Sequence, residues 1–80
     1  MKLYLLSQND NNDWDTYDSI VVCAENEEDA KTIDPYGDIY TENVRFGTWA
    51  KKRSSISCEE LGEANSNQER GVIIASFNAG

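Results

Sequence analysis

The chain has no histidine at all, a single proline, two cysteines, and only seven lysines and arginines against fifteen aspartates and glutamates. Without histidine there is no Ser-His or Cys-His nucleophile pair, no imidazole metal ligand, and no side chain whose ordinary pKa lies near neutrality. Five scattered glycines form neither a Gly-x-Gly-x-x-Gly run nor a Walker-type loop, so no phosphate cradle of backbone amides is encoded. Cys23 and Cys58 have no second pair beside them, which signals neither a disulfide framework nor a thiolate metal site. Both fall in apolar strand patterns and read as buried, reduced thiols. Carboxylates are plentiful, but eighty residues leave little room for a cleft in which two converge. The chain is expected not to be an enzyme and to need no cofactor or metal.

Long apolar runs are missing as well. After Lys2 come only four apolar residues, short of the ~7 to 15 of a signal-peptide core or the ~20 of a membrane span, so a cytoplasmic protein without membrane contact is expected. The net charge of −8 is uneven. Residues 1–44 carry eleven acids against Lys2 and Lys31, residues 45–55 carry four bases and no acid, and Arg70 faces four acids in the remainder. A field of that sign repels phosphate backbones, and direct nucleic-acid binding is not expected.

Four clusters supply the apolar content: Leu3 to Leu6, Ile20 to Ala24, Ile56 to Leu61 and Val72 to Phe77. They are enough for one thin core and one domain, residues 1–80. Lys2 to Ser7, apolar on both faces, reads as an interior strand, and Ser19 to Ala24 as a strand returning antiparallel to it. The Asn and Asp side chains of Asn9 to Asp18 bond their own backbone and favour a loop. Asn26 is an N-cap, with Glu27, Glu28 and Asp29 favourably placed at a helix start. Pro35 limits that helix to about Glu27 to Ile33, with Ala30 and Ile33 inward. A short strand is read around Asn43 to Ala50. Further strands follow at Ile56 to Leu61 and Gly71 to Asn78, able to pair as a hairpin. The fold class is α+β, a small antiparallel sheet of four to five strands with one short helix packed on one face.

One two-turn helix cannot cover both faces of such a sheet. Self-association through the other face, carrying Tyr4 and Leu6, Val21 and Cys23, and Val72 to Phe77, is therefore expected.

Asp13, Asp15 and Glu25 fall at positions 1, 3 and 12 of a notional calcium loop, but Tyr17 and Asp18 break it at positions 5 and 6, which favours a solvated acidic loop. Trp14 and Tyr17 in that loop either fold back over one end of the core or anchor a partner. Trp49 beside Lys51, Lys52 and Arg53, with Arg45 upstream, joins an aromatic to positive charge; the plainer account is an exposed connection whose bases meet the chain's own acids. The candidate partner-binding residues are thus Asp13, Trp14, Asp15, Tyr17 and Trp49.

Met1 to Gln8, Thr16 to Ala30, Leu61 to Ala64 and Gly71 to Gly80 (Gly-Val-Ile-Ile-Ala-Ser-Phe-Asn-Ala-Gly) resemble a group of short bacterial, phage or prophage and integron-cassette proteins with no assigned activity. The resemblance implies a setting of mobile DNA and carries over no catalytic residue. The function expected is a small accessory or binding protein acting through protein contacts and able to form a homodimer. An acidic decoy that imitates DNA, and a small-molecule binder or minor enzyme with a pocket between sheet and helix, are the alternatives.

Overall fold

The computed structural model describes residues 1–12, 15–42 and 47–78. They form a four-stranded antiparallel sheet with one short helix. The strands are β1 (Lys2–Ser7), β2 (Thr16–Ala24), β3 (Ser57–Glu63) and β4 (Gly71–Asn78), and the helix α1 is Glu27–Ala30. The order across the sheet is β3-β1-β2-β4. β1 is interior, as its two-sided apolar pattern requires, and pairs with β2 from Lys2 opposite Ala24 to Ser7 opposite Ser19.

Alternation then sorts the side chains. Tyr4 and Leu6 lie opposite Val22 and Ile20 on one face. All four are buried, together with Ala24, beneath the connection from β2 to β3. That connection lays Ala30, Ile33, Tyr40, Trp49, Ala50 and Ile56 on this face. Leu3, Leu5 and Val21 point the other way and stay partly exposed among the described residues. Tyr4 and Leu6 therefore belong to the covered face, while the open face is carried by Leu3, Leu5, Val21 and Ile74. Cys23 shares the open side but is fully buried, because residues 64–70 pass its end of the sheet and the Gln68 carbonyl lies 4.0 Å from its thiol. Cys58 is only half-buried, and burial pushes its thiol pKa up.

The expected β3–β4 hairpin does not form. Each strand docks on its own side of the central pair, β3 on β1 and β4 on β2. A hairpin on one side would have left one of the two central strands, apolar on both faces, as an open edge. The chain expected to be a loop up to Asp18 joins β2 at Thr16, since Asp15 takes a left-handed φ of 61° and its N–H donates to the Asn78 carbonyl at 2.8 Å. Of the strand expected around Asn43 to Ala50, residues 43–46 lie outside the described residues. Residues 47–50 form no strand, with a bend at 48 and 49, because their carbonyls serve other partners: Asn11 Nδ2 donates to Gly47 and Trp49, and the Tyr17 N–H to Thr48.

The helix is shorter than its pattern. Asn26 caps it, its Oδ1 accepting the Asp29 N–H at 2.8 Å, and the Asp29 carboxylate reaches back to the Glu25 N–H at 3.0 Å. After Ala30 the turn tightens: the Thr32 and Ile33 N–H groups reach back to Asp29 and Ala30, and the Thr32 hydroxyl donates to Asp29 O at 2.6 Å. Ile33 is then drawn into a bridge with Ile39.

Arg70 closes on the same carboxylate, Nη2 to Oδ1 at 2.7 Å, and ties the β3–β4 connection to α1. The Arg70 guanidinium, and after it the Glu25 N–H, hold the Asp29 carboxyl below its usual range. A carboxyl depressed in the fold contributes stability above its unfolded pKa and loses it as pH falls through the folded one. Unfolding by denaturant should therefore become easier below about pH 4, and Asp29→Asn should lose less stability than the wild type over that descent. Parallel losses in the two proteins would show that Asp29 is not a source of the acid sensitivity.

Candidate functional site

The start of β2 and the end of β4 meet at one end of the sheet, with Tyr17 opposite Phe77. The register slips between Tyr17 and Ser19, leaving Asp18 as an extra residue. Such a bulge re-aims the side chain before it, and Tyr17 packs against the covered core instead of joining the odd-numbered open face. Its ring meets Phe77 edge-on at a centroid distance of 4.7 Å and Tyr36 at 5.7 Å and 83°.

Tyr36 comes from the turn at residues 34–38, which Asp34 organises. The Asp34 carboxylate accepts the Tyr36 and Asp38 N–H groups at 2.8 and 3.0 Å, and Gly37 supplies the left-handed φ of 84° that the reversal needs. A third segment joins at Thr48, whose carbonyl accepts the Tyr17 N–H at 2.7 Å and whose hydroxyl donates to the Tyr36 oxygen at 3.3 Å. The result is an aromatic patch open to solvent: Tyr36 is 63% exposed, Phe77 46%, and Ile39 on the same turn 80%. Asp15, Asp18 and Asp38 are exposed beside these three aromatics in sequence and, for Asp15, through its bond to Asn78.

The candidate residues separate. Asp13 and Trp14 lie outside the described residues. Asp15 and Tyr17 are at the patch. Trp49 is a core residue, 4% exposed, and so does not present a face to a partner. The basic segment after it meets the chain's own acids through its backbone: the Lys51 and Lys52 N–H groups donate to the Asp10 carboxylate at 3.0 and 3.1 Å, and the Arg53 N–H to Glu42 Oε1 at 2.7 Å. Burial works against ionisation of Asp10, but the bonds from Lys51, Ser55 and Lys52 outweigh it and hold the carboxyl below its usual range. Tyr36, Ile39 and Phe77 were not legible as site residues. The one signal was an aromatic set between Pro35 and Gly37, where a turn has no use for it.

Chemically the patch offers ring faces, one phenol with a polar neighbour and several carboxylates, an arrangement that takes up an apolar or cationic side chain by contact. Among the described residues no group of three or more cysteines and acids is placed to hold a metal ion, and no helix is long and apolar enough to cross a membrane. A shallow depression of about 310 Å³ lies between β1, β2 and β4, lined by Leu5, Ser19, Val21, Ile74 and Ser76, with no titratable group in it. The contact between helix and sheet is filled by Leu6, Val22, Ala30 and Ile33, each at most 1% exposed. Comparison with family models, with curated proteins and with solved structures finds no match to this chain.

Proposed function

We propose that this chain is a small non-catalytic binding protein of the cytoplasm, an accessory factor of a mobile genetic element, that docks a basic segment of a protein partner on the Tyr17-Tyr36-Phe77 patch. The observation that carries the reading is the exposure of two large aromatics, Tyr36 and Phe77, at a place where three segments converge, with Asp15, Asp18 and Asp38 close by in sequence. Aromatic anchors within a polar rim are the usual make-up of an interface centre, and carboxylates around them select a cationic partner. A decoy of DNA calls for acids in one row. The acids here are dispersed, at the start of α1, along β3, near the patch and, for Asp10 and Glu42, against residues 51–53, which favours a protein partner.

An arginine-rich peptide with interspersed leucines, titrated into the isotope-labelled protein, tests this by chemical shift. The expected result is shifts centred on Tyr17, Tyr36, Phe77, Asp15 and Asp38, weakening as salt shortens the screening length. Tyr36→Ala removes an exposed ring without touching the core and should weaken the peptide roughly two- to thirtyfold, the range for one cation-aromatic contact of ~0.5 to 2 kcal/mol. Shifts centred on α1 or β3, or an undiminished affinity in Tyr36→Ala, would move recognition away from the patch.

A further inference from the structure

The two edges of the sheet are built differently. Along β3 the exposed Glu59, Glu60 and Glu63 follow one another, Lys2 pairs with Glu60 at 3.2 Å, and the register shifts where Leu3 and Tyr4 meet it. Charge and a bulge are the usual devices that stop a second chain from adding to an edge. β4 also carries a bulge, at Ile73 between the Val21–Ile74 and Val22–Val72 pairs, but it has neither charge nor proline. Residues 71–80 are the longest uncharged run in the sequence, and every residue of β4 is at least partly exposed. Of the seven exposed large hydrophobics among the described residues, three sit on this one strand, Ile73 at 43%, Ile74 at 65% and Phe77 at 46%. A long, apolar, uncharged edge, beside which the described residues place no further strand, is a template for pairing.

We propose that β4 pairs antiparallel with β4 of a second copy, joining two four-stranded sheets into one of eight. The charge pattern selects that occupant. Each copy carries −8, so two copies repel over most of their surfaces and approach best along a neutral stretch. Pairing of β4 with itself sets no like charges opposite each other. Pairing of β4 with β3 of another copy is head-to-tail and would propagate into filaments, and the glutamates of β3 stand against it. The closed, twofold contact remains. It also sets the two open faces, with Leu3, Leu5, Val21 and Ile74, side by side in one surface.

Salt then separates this contact from docking at the aromatic patch. Screening relieves repulsion between like-charged copies, so the dimer should tighten from about 0.05 to 0.5 M salt while a basic peptide should be released. Light scattering across a concentration series should show a mass rising from 9.0 kDa to twice that value, and backbone amides of β4 should exchange with solvent more slowly in the dimer while those of β3 do not change. Ile74→Lys should weaken the dimer about tenfold or more, with the fold checked by circular dichroism, and Leu61→Lys on the opposite edge should leave it unaltered. A mass of 9.0 kDa at every concentration overturns the proposal. So does a dimer whose β4 amides exchange at the monomer rate, which marks a face-to-face contact, or one broken by Leu61→Lys and spared by Ile74→Lys. The exchange measurement uses the unaltered protein and decides the matter even if Ile74→Lys does not fold.

Discussion

Leu6→Ala should remove a large share of the stability of this domain. Leu6 is fully buried between Ile20 on β2 and Cys58 on β3, under the face crossed by the long connection. Truncating a leucine in such a place costs about 2 to 5 kcal/mol, the lost transfer energy plus the cavity left behind. A chain of this length has in total roughly 4 to 12 kcal/mol to lose. At about 4 to 8 °C per kcal/mol for a domain of this size, the unfolding midpoint should fall by ten degrees or more. Leu5→Ala is the internal control, since Leu5 lies on the open face and is already partly exposed; in dilute solution it should cost about a third as much or less. Equal losses for the two would mean that the odd-numbered face is covered as thoroughly as the even one.

Asn11→Leu should be nearly as damaging, for a different reason. Asn11 is 5% exposed, and its Nδ2 donates to the Gly47 and Trp49 carbonyls at 3.0 and 2.9 Å. Its N–H donates to Gln8 Oε1 at 3.0 Å, and Gln8 Nε2 donates to the Asn11 and Tyr17 carbonyls at 2.9 and 2.7 Å. Leucine fills the space but leaves two carbonyls without a donor, at about 1 to 3 kcal/mol each where water cannot replace it. We expect a loss of about 2 to 4 kcal/mol in denaturant unfolding. Asn12→Leu should cost under about 0.5 kcal/mol, since the exposed Asn12 bonds the nearby Asn9 carbonyl and no other group among the described residues. Residues 47–50 also position Thr48 against Tyr17 and Tyr36. Asn11→Leu should therefore loosen the aromatic patch, visible as changed ring shifts of Tyr36 at temperatures where the sheet is intact; unchanged shifts would show that the patch holds itself together.

That contrast between Asn11 and Asn12 marks the boundary of what the sequence reveals. Strands β1 and β4 match their expected bounds residue for residue, because apolar alternation and flanking turn residues are local signals. The N-cap at Asn26 is equally local. Pairing of β3 with β1 and of β4 with β2 is not, since any of these antiparallel partners satisfies the same pattern. A run of Asn and Asp looks like a self-bonded turn whichever member reaches across to residues 47–50, so Asn11 was indistinguishable from its neighbours. Trp49 beside three bases suggested an exposed strip, yet its ring follows the core and the charges stay outside. The site was half legible for the same reason. Tyr17 stood out in its acidic loop, whereas Tyr36 and Phe77 reach it only through a turn and a strand that adjacency in sequence does not connect.

The strand order also bears on how the chain reaches its shape. β1 and β2 are the one pair of strands both close along the chain and hydrogen-bonded to each other among the described residues; β3 must bring Glu63 back to Lys2, and β4 must bring Asn78 back to Thr16. The seven residues 64–70 then carry the chain from one outer strand to the other, about 14 Å at the usual strand spacing. The central pair is the only part able to assemble from local contacts, and each outer strand adds to an edge that the pair already presents. Loop closure of that length is slow beside helix formation, which places folding in the millisecond to second range typical of non-local sheets. During that interval β2 waits with its outer edge bare until the final segment of the sheet arrives.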